Sequence, residues 1–130
     1  MASDNPFLHG NQWQDFIKKY KTNEVIFWEG DAADLFFIVL EGRVQIKRSR
    51  PNGNSLILAS LGPGQFFGEM ALMSNSPRTA TAFAEEQTSL LGMNQKQFLD
   101  MLQDNNQFAL KMIRTLCERL KVLGDQLVHV

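Results

Sequence analysis

Gly68, Glu69 and Arg78 are the residues whose types and spacing could do chemistry. They sit in the string Phe67-Gly68-Glu69-Met70-Ala71-Leu72, which a short polar loop joins to Pro77-Arg78-Thr79-Ala80-Thr81. The glycine opens a predicted helical turn from Glu69 to about Met73. The start of such a turn presents backbone N–H groups and the positive end of a small dipole, a place that suits an anion. Arg78 adds a planar fork that matches a phosphate. Glu69 repels phosphate, so it needs another partner. An ionised carboxylate only accepts hydrogen bonds, and a ribose hydroxyl is a donor that suits it. One anion site plus one hydroxyl acceptor describes a ribose joined to a phosphate. The plainer alternative is a surface Glu and Arg flanking a loop.

The elements that must position these residues read as short strands. Val25-Ile26-Phe27-Trp28 is a predicted strand closed by Glu29-Gly30-Asp31, and residues 35–40 form an apolar run that suits a buried strand. Arg43 to Arg48 alternates polar and apolar, as a half-buried strand should. Pro51-Asn52-Gly53-Asn54 is a hairpin turn signal. It returns the chain through Ser55 to Leu61, where Gly62-Pro63-Gly64 breaks it. A turn centred near Asn52-Gly53 puts Ile46 opposite Leu58 on one face. Two further strands, residues 79–84 and 88–92, follow the string. Short strands separated by Gly and Pro turns indicate a β-sandwich or jelly roll.

Helices are expected at both ends. Trp13, Phe16, Ile17 and Tyr20 have helical spacing, which predicts a short amphipathic helix over residues 11–20. A segment opening at Asn94 carries Phe98, Leu99 and Leu102. Asn105 or Asn106 then caps a long helix running to about Val128. Along it, Ala109, Ile113, Leu116, Leu120, Leu123 and Leu127 trace an a/d heptad seam. The seam serves either a homodimer or docking on the chain's own strands.

Composition narrows the function classes. The chain has 130 residues, 44% hydrophobic and 21% charged, with formal net charge −1. This suits one globular domain and not a polyanion binder. The basic groups Lys18-Lys19-Lys21 and Arg43-Lys47-Arg48-Arg50 read as solvated faces. No helix-turn-helix follows Leu127, so no nucleic acid is expected as a partner. Cys117 is the single cysteine, which excludes an intramolecular disulfide and fits a reducing compartment; beside the seam it reads as a small core or interface residue. No stretch approaches the ~18 apolar residues of a membrane span, and the expected setting is cytoplasmic. His9 and His129 lie near opposite ends, so neither a metal cluster nor a triad is expected. Glu69 has no partner carboxylate for acid–base work, and no enzymatic activity is expected.

The string Phe-Gly-Glu-Met-Ala-Leu followed by Pro-Arg-Thr-Ala-Thr resembles the phosphate-binding cassette of the cyclic-nucleotide-binding domain family. That family includes the catabolite-activator-like regulators and kinase regulatory subunits. The resemblance extends from about Tyr20 to about Leu127. It implies a mainly β fold with flanking helices: a β-roll (double-stranded β-helix, jelly-roll-like) with a short N-terminal helix and a long C-terminal one. Within one domain over residues 1–130, it implies an N-terminal helical segment at 1–20, the roll at 21–93 with its cassette at 67–81, and C-terminal helices at 94–128. The ligand implied is cAMP or cGMP, with no cofactor or metal. Its expected contacts are Phe67, Gly68, Glu69, Met70, Ala71, Arg78, Thr79 and Ala80, with amides near Ala71 and Ala80 bonding the phosphate. Ile46 and Leu58 match apolar wall positions beside ribose and base, and they read equally as core. Thr79 permits guanine without requiring it. At the positions where the catabolite activator places a Thr-Ser pair against adenine, this chain has Leu123-Gly124. The implied mechanism draws the cassette turn inward, repacks Leu72 and moves the long helix. A nucleotide-independent dimerisation module of the same fold is the alternative.

Overall fold

Residues 16–127 are described by the computed structural model. The chain divides into two compact units, residues 1–96 and 97–130. The first contains β1 (Ile17–Tyr20), β2 (Val25–Phe27), β3 (Phe36–Glu41), β4 (Val44–Ser49), β5 (Ser55–Leu61), β6 (Phe66–Phe67), α1 (Glu69–Ser74), β7 (Thr81–Ala84) and β8 (Thr88–Met93). α2 (Gln95–Asp104) crosses the boundary, and α3 (Asn106–Leu127) follows it. The strands form two four-stranded sheets, ordered β1-β8-β3-β6 and β2-β7-β4-β5. Every pairing is antiparallel. This is the expected β-roll architecture, mostly strand with flanking helices.

Alternation of side chains decides what each sheet buries. Phe37, Val39, Phe67 and Leu90 of the first sheet meet Val44, Leu61 and Ala82 of the second in one buried cluster, with Phe27 and Ile46 packed at its margin. Burying each large apolar side chain stabilises the fold by roughly 1.5–3 kcal/mol. Phe37 and Phe67 stack with ring centroids 5.2 Å apart, and Phe27 tilts against both at 6.0 and 5.9 Å. The continuous run Phe36 to Leu40 is buried at every position, which explains why β3 shows no alternation.

The hairpin turn forms at the predicted residues. Arg50 N donates to Asn54 O at 2.8 Å, and Gly53 adopts φ 88. The register beyond it differs from the expected one. Ile46 lies opposite Ala59, while Lys47 lies opposite Ile57, so Leu58 is the extra residue of a β-bulge. Ile46 packs on the core, but Leu58 is 47% exposed. A turn-centred count cannot register an inserted residue.

The N-terminal segment also departs from expectation. Ile17–Tyr20 is a strand paired with β8, not the second half of a helix, and residues 11–15 lie outside the described residues. The backbone groups along that side of β8 find partners in β1, which a helix would have left without a ladder. Four apolar residues over so short a segment do not decide between the two periods.

In the helical unit Asn105 caps α3, its Oδ1 accepting from Phe108 N at 3.0 Å. Phe98 and Phe108 meet edge to face at 6.2 Å. Along the seam, Ala109 and Leu116 are half-buried and Ile113 and Leu120 are exposed; the side chains of Leu123 and Leu127 lie outside the described residues. Cys117 is exposed and so is not a core residue. No helix among the described residues is long and apolar enough to cross a membrane.

One buried hydroxyl ties the β3–β4 turn to β8. Thr88 is 1% exposed; its Oγ1 accepts from Arg43 N at 3.1 Å and donates to Glu86 O at 2.8 Å. Gly42, at φ 91, brings its backbone against that hydroxyl, where a Cβ would collide with Thr88 Oγ1. Thr88→Val should cost about 1–3 kcal/mol of stability by leaving the Arg43 amide unpaired. Equilibrium urea denaturation measures this, and a midpoint equal to wild type would contradict it.

Candidate functional site

The segment that holds Gly68, Glu69 and Arg78 is fixed first by backbone. Gly30 N donates to Arg78 O at 2.8 Å, and Arg78 N donates to Asp31 O at 2.8 Å. This reciprocal pair pins the Arg78 backbone to the turn after β2. On the other side, β6 ends at Phe67, and Gly68 turns the chain into α1 with φ 85 and no side-chain cap. Asn75, at φ 55, ends α1 after six residues.

Arg78 is drawn inward from that anchor until 4% of it is exposed. Its Nη1 donates to Gly68 O at 3.1 Å and its Nη2 to Leu35 O. The guanidinium carbon lies 4.1 Å from the Phe27 ring centroid and 5.9 Å from that of Phe37. Desolvation pushes the Arg78 pKa down, and the charges of Asp34, Asp31 and Glu69 oppose that fall. Arginine nonetheless stays protonated, so a positive charge is held inside the fold. Its Nε is buried and has no hydrogen-bond partner among the described residues. An unsatisfied buried donor costs about 1–3 kcal/mol, and an anion with an oxygen to spare would relieve it.

The predicted site residues fall into three groups. Phe67, Gly68, Glu69, Ala71, Arg78 and Ala80 gather at α1 and the start of β7; all but the partly buried Gly68 are buried. Met70 occupies the second position of α1, and its side chain lies outside the described residues. Thr79 is exposed beside them, its carbonyl accepting from Arg48 Nε at 3.1 Å. Ile46 sits at the core margin and Leu58 on the bulge, as described above. Glu69 is the buried carboxylate of the group, at 7% exposure.

Sequence reasoning missed Leu35, whose carbonyl receives Arg78, and Phe27 and Phe37, whose rings flank it. It also missed Asp31, Asp34 and Arg48. Asp31 carried a weak signal as part of the Glu29-Gly30-Asp31 turn; the others become visible only when β2 and β4 are laid beside β7 and β3 is packed against that sheet. A groove of about 550 Å³, lined by Val25, Trp28, Lys47 and Phe83 among others, opens on the second sheet. By alternation those strand positions face away from Val44, Ile46 and Ala82, so the groove is distinct from the Arg78 site. Among the described residues no group of His, Cys, Asp and Glu is placed to hold a metal ion.

Residues 17–105 match the profile of the cyclic nucleotide-binding domain. The cyclic AMP receptor protein of Thermus thermophilus is 33% identical over 102 residues, which is 78% of this chain and 47% of that protein. The cAMP-dependent protein kinase regulatory subunit of Yarrowia lipolytica is 33% identical over 108 residues, 83% of this chain and 28% of that protein. The crystal structure of the Thermus thermophilus catabolite activator protein matches with a TM-score of 0.77 and 29% identity, covering 95% of this chain and 62% of that one. The chain thus spans half or less of the length of these two curated relatives.

Gly68 is required for two separable reasons. A Cβ there would lie 2.7 Å from Arg78 Nη1, and the backbone has positive φ; Gly30, at φ 92, has open space around it. Gly30→Ala should therefore cost only the left-handed strain, about 1–2 kcal/mol. Gly68→Ala should cost measurably more by displacing Arg78. Equal losses in thermal denaturation of the two variants would show that the close approach to Arg78 contributes nothing.

Proposed function

The chain belongs to the cyclic nucleotide-binding domain family, and from that premise we propose that it is a non-catalytic sensor of a cyclic purine mononucleotide, cAMP or cGMP. The observation that carries the reading is the buried Arg78 guanidinium with its partnerless Nε. In this reading Arg78 donates to an exocyclic oxygen of the cyclic phosphate, a charged hydrogen bond worth roughly 1.5–3 kcal/mol. Backbone amides near Ala71 and Ala80 take the remaining phosphate oxygens, and Gly68 lets the chain approach closely. Glu69 accepts from the ribose 2′-hydroxyl. Phe67, Met70 and Ile46, with Leu58 towards the rim, supply the apolar surround. Thr79 offers its hydroxyl to the base and admits guanine as well as adenine.

Binding alone does not make a sensor. A ligand shifts a conformational equilibrium only by its preference for one state. Phosphate contacts favour an inward position of α1, with Leu72 repacking, and α3 conveys occupancy. The exposed Ile113 and Leu120, one heptad apart on α3, support a homodimer through the seam Ala109, Ile113, Leu116, Leu120, Leu123 and Leu127. The reading includes a cytoplasmic setting and neither nucleic acid nor membrane as partner. A second reading, an interaction module of the same fold that binds no nucleotide, draws on the same exposed face. Retention of both Glu69 and Arg78 favours the sensor.

Two measurements test these proposals. Isothermal calorimetry should detect one cyclic purine nucleotide at micromolar affinity or better. Arg78→Ala should weaken it at least tenfold, about 1.4 kcal/mol, and a 2′-deoxy analogue should bind less tightly. No heat with either cAMP or cGMP would leave the interaction module as the better account. For the dimer, sedimentation velocity should show the intact chain as a dimer and Ile113→Glu/Leu120→Glu as a monomer. A wild-type monomer at high concentration defeats that part of the proposal.

A further inference from the structure

Arg48 is a cation that the reading above leaves unused and that strand register brings to the anion site. On β4 it follows Val44 and Ile46 at two-residue steps, so it shares their inward face. The β4–β7 register runs unbroken from Val44 opposite Ala84 to Lys47 opposite Thr81. One further step sets Arg48 beside Ala80. Its Nε donates to the Thr79 carbonyl at 3.1 Å, and the side chain makes no other hydrogen bond among the described residues. The guanidinium is thus tethered to the residue between Arg78 and Ala80, with its terminal nitrogens uncommitted.

The charge around Arg78 gives that placement a purpose. Asp34, Asp31 and Glu69 all act on the single Arg78 guanidinium, and two of its nitrogens already serve backbone carbonyls. The charges that act on Arg78 are thus three carboxylates, with no second cation among them. Lys47 does not compensate from the inward face, because its Nζ lies over the Phe83 ring at 4.5 Å on the opposite face.

We propose that Arg48 is a second cation for the ligand's phosphodiester, held at the cassette by its bond to Thr79 and offsetting the carboxylates around Arg78. The inference rests on the sensor reading and extends it to a residue outside the cassette string. Because Arg48 is exposed, its contribution is modest and screened by salt.

The test measures cAMP and cGMP affinity by calorimetry at low and high salt for wild type, Arg48→Met, Arg48→Lys and Lys47→Met. Arg48→Met should weaken binding about two- to fivefold at low salt and flatten the salt dependence. Arg48→Lys should retain the wild-type salt dependence. Lys47→Met, which removes the same charge from the other face, should bind as wild type. Unchanged affinity in Arg48→Met overturns the inference while leaving the sensor reading intact. Equal weakening in Lys47→Met overturns it too, since the effect would then be net charge, and so does an Arg48→Lys that binds as weakly and with as flat a salt dependence as Arg48→Met, since a positive charge at this position would then contribute nothing. Absence of wild-type binding to either nucleotide overturns the sensor reading and this inference together.

Discussion

A buried guanidinium is the constraint on which the rest of this structure turns. Arg78 is inside the fold, charged, over the Phe27 ring and held by the carbonyls of Gly68 and Leu35. Taking such a charge out of water costs several kcal/mol unless it is paired or hydrogen-bonded. Three separate features act to meet that cost. The turn after β2 fixes its backbone, α1 begins where the Gly68 carbonyl can reach it, and Asp34, Asp31 and Glu69 favour its charged form. The compensation is incomplete at Nε. An acceptor from elsewhere, such as the phosphate oxygen proposed above, would complete it.

The β-roll exists, in this view, to bring together parts that are distant in the chain. Leu35 lies at the entrance to β3, Gly68 follows β6 and Arg78 precedes β7. Short antiparallel strands with tight turns place the first two within hydrogen-bonding distance of the Arg78 side chain. The aromatic cluster of Phe27, Phe37 and Phe67 does double duty. It packs the two sheets together, and two of its rings form the apolar floor under the guanidinium. Core packing and site geometry are therefore the same set of contacts, so a change to either disturbs the other.

Much of this was legible in the residues. The glycine-opened turn, the arginine and the carboxylate stand in one short string, where local chemistry is enough to read them. Strands with alternation or an unbroken apolar run, such as β3 and β4, were equally plain, as was a cap of α3 at Asn105 or Asn106, between which the Phe108 amide selects Asn105. What stayed hidden depends on non-local pairing. β1 looked helical because Ile17 and Tyr20 stand three residues apart, and only the pairing with β8 makes this segment a strand. Leu58 was misplaced because a bulge adds a residue without a sequence mark. Asp34, Leu35 and Arg48 carry no motif at all. Their roles arise from which strands lie beside which, and a backbone carbonyl such as that of Leu35 is invisible to any reading of side-chain types.

The central claim is that Arg78 Nε is the donor awaiting a phosphate oxygen. Its N–H resonance in a ¹H–¹⁵N NMR spectrum, assigned by its loss in Arg78→Lys, reports on that atom directly. The account predicts a downfield shift and slowed solvent exchange of this resonance when the cyclic nucleotide is added. Nucleotide binding that leaves the Arg78 Nε–H resonance unmoved would contradict it.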